Sequence, residues 1–159
     1  MRRIVPLLLA IAGLIQMAFP VGAAQQSACA GLDEFGFEIF TVGHIWLDGT
    51  QRAGVIYTAD PSGFDAQQWT AFAELATIKQ DQLDAIDPPT WAAEWLEIQS
   101  AAAALQAEAG NAASKAGLSA IATFGDDFRA LEQRDQIATA DAIDHCGAFA
   151  PVASIWQLL

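Results

Sequence analysis

Apolar residues recur at steps of three and four along much of this chain, and that spacing gathers them on one face of an α-helix. The clearest run follows the double proline at Pro88 and Pro89, where Thr90 is a suitable N-cap. Gly110 and Asn111 then supply a stop signal. The pattern predicts a helix between these two signals, with a buried face formed by Trp91, Trp95, Ile98, Ala102, Leu105 and Ala109.

A second helical run lies just before the prolines. Its start is indicated either by Asp60 with Pro61 in the first turn or by Ser62 with Asp65 three residues later. Pro88 ends it, because proline lacks the amide hydrogen that an α-helix needs. Two helices joined by so short a turn run antiparallel, so the sequence predicts a helical hairpin. The apolar stripe of this helix is Trp69, Phe72, Ala76, Leu83 and Ile86.

Helical patterns continue, more weakly, toward the C-terminus. Residues 113–125 predict a short helix ended by Gly125, and Asp126 is placed to cap the next one. The apolar tail 147–159 is expected to fold back on the helices, with a docking segment for a partner as the alternative. The helix that begins near Asp126 is expected to bury Phe128, Leu131, Ile137 or Ala138, and Ala142.

The segment 33–57 fits two structures. The alternation from Phe35 to Ile39 suits a strand, but the wider spacing suits a helix. We favour a helix, because an even number of long antiparallel helices returns both chain ends to one pole, where Cys29 and Cys146 can bond. The predicted fold is therefore all-α, a roughly four-helix antiparallel bundle closed by one disulfide. The residues at helical steps are Phe35, Ile39, Val42 and Trp46.

The first residues have the layout of a secretory signal peptide. Arg2 and Arg3 precede an apolar run, and small residues follow it before a cleavage site. The run from Ile4 to about Phe19 is shorter than the roughly 20 residues of a membrane span. We therefore predict a signal peptide over 1–23 and a single helical-bundle domain over 24–159, with no stable membrane span after signal removal. The expected location is outside the cell, in the periplasm or in the cell envelope.

Cys29 leaves a second possibility open. A lipoprotein signal also ends at a cysteine, which would be acylated and would anchor the chain to a membrane. That motif prefers an aliphatic residue three positions before the cysteine, and here the residue is Gln26. We interpret Cys29 first as the disulfide partner of Cys146, because an exported chain with two cysteines meets an oxidising environment.

The charge of the chain narrows the range of partners. Its formal net charge is −12, with seven basic and 19 acidic residues. Removing the two arginines of the signal leaves five basic residues against 19 acidic ones, a charge of −14. Such a surface repels phosphate backbones, so we expect no nucleic-acid partner.

Motifs for nucleophilic, phosphate-binding or metal-binding chemistry are absent from the sequence. Asp81, Asp84 and Asp87 stand three residues apart, and Asp141 lies one helical turn before His145. These groups leave a weak carboxylate- or metal-dependent enzyme as an alternative, although ligands with nitrogen or sulfur are few. We assign no catalytic, metal-binding or cofactor-binding residue and expect no cofactor.

The five tryptophans suggest either a core or a pocket. Large rings among alanines fill the space between helices, and we expect most of them to be core. The same rings can instead leave an apolar cavity, for which Trp69, Trp91 and Trp95 are the candidate residues. We therefore predict an exported, non-enzymatic binding or interaction module whose partner is a protein or a small apolar ligand. A carrier of a small apolar ligand in an inter-helical cavity is the alternative within that class.

Overall fold

The computed structural model describes residues 28–55 and 61–157. Over these ranges the chain is helical and contains no β-strand, which confirms the predicted all-α class. The predicted signal peptide, 1–23, lies outside the described residues, as do Asp60 and the last two residues of the tail. Five α-helices follow one another: α1 Leu32–Ala53, α2 Ala66–Asp84, α3 Ala93–Ala116, α4 Gly125–His145 and α5 Ala150–Trp156. Short 3₁₀ segments occupy Pro61–Gly63, Leu118–Phe124 and Gly147–Phe149.

Helix α1 settles the ambiguity of the segment 33–57 in favour of a helix, as far as that segment is described. The strand pattern fails at Phe37, whose side chain is 74% exposed although it alternates with buried residues. The helical stripe explains the burial instead, because residues three and four apart share one face. Its buried members are Phe35, Ile39, Val42 and Trp46.

Helix α2 begins later than Ser62 would place it. Its N-cap is Asp65, whose Oδ1 accepts a hydrogen bond of 2.8 Å from the backbone N–H of Gln68. The side chain of Gln68 accepts one of 3.0 Å from the Asp65 N–H in return. This capping box satisfies two amide donors that the first turn leaves unpaired. Residues Pro61–Gly63 form a separate 3₁₀ turn.

Helix α3 is shifted along the chain relative to the prediction. It begins at Ala93, beyond Thr90, and it runs through the expected stop at Gly110 to Ala116. Gly110 is buried against α2, where an added Cβ would lie 3.1 Å from both Phe72 Cδ1 and Ala73 Cβ. That glycine therefore permits a close approach of two helices. The helix stops instead at Gly117, whose φ of +77° is a conformation that favours glycine.

The region after α3 also departs from the prediction. Leu118–Phe124 is a 3₁₀ segment, and Gly125 begins α4 where it was expected to end a helix. Asp126 lies in the first turn of α4 and is not its N-cap, yet its charge is well placed near the positive end of the helix dipole. On the inner face Ala138 is buried, whereas its alternative Ile137 is 63% exposed.

Successive long helices run antiparallel. Phe72, near the start of α2, lies beside Gly110, near the end of α3. At the opposite end of this pair, Ser100 donates a hydrogen bond to Asp84. Helices α3 and α4 are joined by a hydrogen bond of 2.5 Å from Gln99 Nε2 to Asp135 Oδ1.

The predicted disulfide is present. Cys29 and Cys146 are bonded, with Cα atoms 5.0 Å apart and 117 positions between them in sequence. The bond joins the start of α1 to the end of α4. Just beyond it, Phe149 and Trp156 bury their side chains, so the described part of the tail packs on its own chain.

Candidate ligand-binding cavity

A cavity of about 410 Å³ lies between α2, α3, the Leu118–Phe124 segment and the start of α4. Its volume falls in the range of pockets that take small molecules, roughly 300 to 1,000 Å³. Helix α2 contributes two aromatic rings to the wall, and α3 contributes small residues and one amide. The lining residues are Val55, Pro61, Phe64, Trp69, Phe72, Gln106, Ala109, Gly110, Ile121 and Phe128.

The aromatic wall is ordered by contacts between its own rings. Trp69 meets Phe64 edge-on with ring centroids 5.2 Å apart, and it meets Phe72 at 6.0 Å. Trp46 of α1 supports Phe72 from behind at 5.6 Å. Each edge-to-face pair stabilises the array by about 0.5–1.5 kcal/mol beyond the area it buries. The wall therefore keeps its shape without a ligand.

Gln106 is the polar side chain of the wall. Its Oε1 is buried, and none of the described residues donates a hydrogen bond to it. A buried acceptor without a partner destabilises a fold by about 1–3 kcal/mol. An amide at this position can rotate to present either its oxygen or its nitrogen, so it can pair with one polar group of a guest.

The three tryptophans predicted to share a pocket are not brought together. Trp69 lines the cavity, whereas Trp91 and Trp95 pack in another part of the core against Phe35 and Phe149. The reason is the antiparallel hairpin. Trp69 lies at the start of α2 and the other two at the start of α3, so antiparallel packing places them at opposite ends.

The candidate acid–base and metal groups do not converge. Asp81, Asp84 and Asp87 are exposed, and Asp84 accepts its hydrogen bond from Ser100. Asp141 and His145 are exposed as well. Within residues 28–55 and 61–157, no three acidic, histidine or cysteine side chains are grouped so that they could hold a metal ion.

Sequence reasoning missed Lys79, which is only 9% exposed. Its Nζ lies 4.8 Å from the ring centroid of Trp46 and 4.7 Å from that of Trp156. Burial lowers the pKa of Lys79 to about 8. A signal was available, because position 79 fills the gap between Ala76 and Leu83 at steps of three and four. A lysine in that gap breaks an otherwise apolar stripe.

A line of hydrogen bonds leads from this lysine's neighbour to α4. The indole N–H of Trp156 donates to Gln99 Oε1 at 2.8 Å, and Gln99 in turn donates to Asp135. Burial raises the pKa of Asp135, while hydrogen bonds from Gln99 and Thr139 lower it. The short helix α5 is thus tied to α3 and α4 by a polar contact as well as by apolar packing.

No family model, curated protein or solved structure matches this chain. Among the helices described here, none has both the length and the apolar character needed to cross a membrane. The class that the described residues define is therefore an all-helical protein with one disulfide and an aromatic-walled cavity.

Proposed function

We propose that this chain is an exported, non-enzymatic binding protein that carries a small, neutral, largely apolar molecule in the cavity beside Trp69. The observation that carries the proposal is the cavity itself, about 410 Å³ in volume and walled by Trp69, Phe64 and Phe72. Removing apolar surface from water provides the driving force for such a ligand, at about 25 cal/mol per Å². The amide of Gln106 would orient it through a single polar group.

The charge of the protein favours a neutral ligand over an anionic one. The full chain has a net charge of −12, and no lysine or arginine is among the residues that line the cavity. An anion would leave water without gaining a positive partner, which is unfavourable. Fatty acids and phosphorylated molecules are therefore poorer candidates than small aromatic or alicyclic compounds.

Export is the second part of the proposal. It rests on the signal-peptide pattern over 1–23 and on the bond between Cys29 and Cys146, since disulfides persist in oxidising compartments. We include in it the closure of α1 to α4 into a roughly four-helix antiparallel bundle over 24–159. A bond from the start of α1 to the end of α4 is what such a closed arrangement requires.

The test is a titration with N-phenyl-1-naphthylamine, a neutral apolar dye that fluoresces when it leaves water. We expect saturable binding to one site, with energy transfer from tryptophan, because the dye would lie against Trp69. Replacing Ile121→Trp fills the cavity and should abolish the saturable signal. The matched control is Ile137→Trp, at a position 63% exposed on α4, which should bind the dye like the unaltered protein. Unsaturable binding, or binding unaffected by Ile121→Trp, would contradict the proposal.

A further inference from the structure

The side chain of Lys79 is set apart from ordinary surface lysines by what surrounds it. Its Nζ lies between the faces of Trp46 and Trp156, at 4.8 and 4.7 Å from their ring centroids. Among the described residues no carboxylate is within salt-bridge distance of it; the ion pairs found there all involve arginine. The chain has one other lysine, Lys115, and that residue is exposed.

This setting favours the neutral amine, which is the nucleophilic form of lysine. Water and carboxylates, which hold the proton on a surface lysine, are largely excluded here. Burial lowers the pKa to about 8, so about a tenth of the side chains carry a free amine near pH 7. The indole faces attract a cation but cannot take up its proton.

We propose that Lys79 is a carbonyl-capturing site that forms a Schiff base with small aldehydes between Trp46 and Trp156. The lone pair of Nζ attacks the carbonyl carbon, and a carbon–nitrogen bond forms. The two hydrogens of the neutral amine leave with the carbonyl oxygen as water, and a carbon–nitrogen double bond remains. No electrons are transferred to or from another molecule, so no oxidant or reductant is needed.

The two indoles suit the product as well as the reactant. A Schiff base that takes up a proton is again a cation, and the faces of Trp46 and Trp156 remain positioned to stabilise it. The narrow exposure of Lys79, 9%, restricts the site to small aldehydes. Lys79 is not among the residues that line the apolar cavity, so this site is distinct from the proposed carrier site.

The test is reductive trapping on the unaltered full chain. The protein is incubated with propanal and sodium cyanoborohydride near neutral pH, and propylated lysines are mapped by mass spectrometry after digestion. We expect roughly tenfold more label on Lys79 than on Lys115. Near neutral pH a lysine with a pKa of about 8 has on the order of a hundred times the free-base fraction of a lysine in water, and restricted access offsets part of that gain.

Two controls separate folded-state reactivity from intrinsic chemistry. In urea the preference should disappear, because both amines are then in water. In a Lys115→Arg variant the labelling of Lys79 should be unchanged. Label on Lys79 equal to or below that on Lys115 in the folded protein, or no label on either, would overturn the proposal. Because the comparison is made within one molecule, it needs no variant at Lys79 that might fail to fold.

Discussion

Replacing Lys79 with methionine should stabilise the protein at neutral pH, although it removes two cation–π contacts. Methionine has a similar length and fills the space between Trp46 and Trp156 without a charge to desolvate. The lowering of the lysine pKa from 10.5 to about 8 corresponds to about 3 kcal/mol of preference for the neutral form. We expect Lys79→Met to raise the free energy of unfolding by about 1–3 kcal/mol near pH 7.

The same substitution should remove a pH dependence of definite sign. The folded-state pKa of Lys79 is lower than its unfolded value, so the charged form penalises the folded state in full below about pH 8. That penalty fades as pH rises from about 8 to 10.5, because both states then lose the proton. The unaltered protein should therefore gain on the methionine variant over that window, by up to about 3 kcal/mol.

Urea denaturation followed by circular dichroism, repeated at several pH values between neutral and about 10.5, measures this difference directly. Lys115→Met is the matched control, because Lys115 is exposed and its replacement should leave the free energy of unfolding nearly unchanged. A pH-independent difference between the protein and Lys79→Met would refute the reasoning. So would a methionine variant that is less stable by 2 kcal/mol or more near pH 7, since the indole contacts would then outweigh desolvation.

Three further changes test other parts of the fold. Replacing Cys29 and Cys146 with serine together should lower the free energy of unfolding by about 4–5 kcal/mol, because the bond spans 117 positions; a urea midpoint unchanged from the oxidised protein would contradict this. Gly110→Ala should lower it by about 1–3 kcal/mol, since the new Cβ would lie 3.1 Å from Phe72 Cδ1, and a neutral result in the same assay would show that α2 can move away. Asp65→Ala should lower it by about 1 kcal/mol through loss of the capping box, whereas Asp65→Asn should lose much less; equal losses would point away from capping.

The sequence predicted those features that depend on local periodicity. The stripe from Phe35 to Trp46 outweighed the competing strand pattern, because seven of the α1 side chains follow one helical face into the core. The disulfide was equally accessible, since two cysteines in an exported chain allow one pairing. These predictions needed no knowledge of how one helix meets another.

Features that depend on contacts between helices were not predicted correctly. Gly110 has the composition of a stop signal, but its role is to let α2 approach α3, and a single sequence does not distinguish these two uses. Trp69, Trp91 and Trp95 share a helical face in their own helices, yet an antiparallel hairpin separates them. Lys79 was overlooked because a charged residue inside an apolar stripe is expected to reach solvent, and here α1 and α5 cover it.

The central claim is that an apolar molecule occupies the space beside Trp69, and a crystal of the protein soaked with bromobenzene tests it most directly. The anomalous signal of bromine locates the guest without reference to any assay of function. We predict one strong bromine peak between the rings of Trp69 and Phe72 and the side chain of Ile121. A cavity filled by the protein's own side chains, or bromine found solely at the surface, would contradict the account.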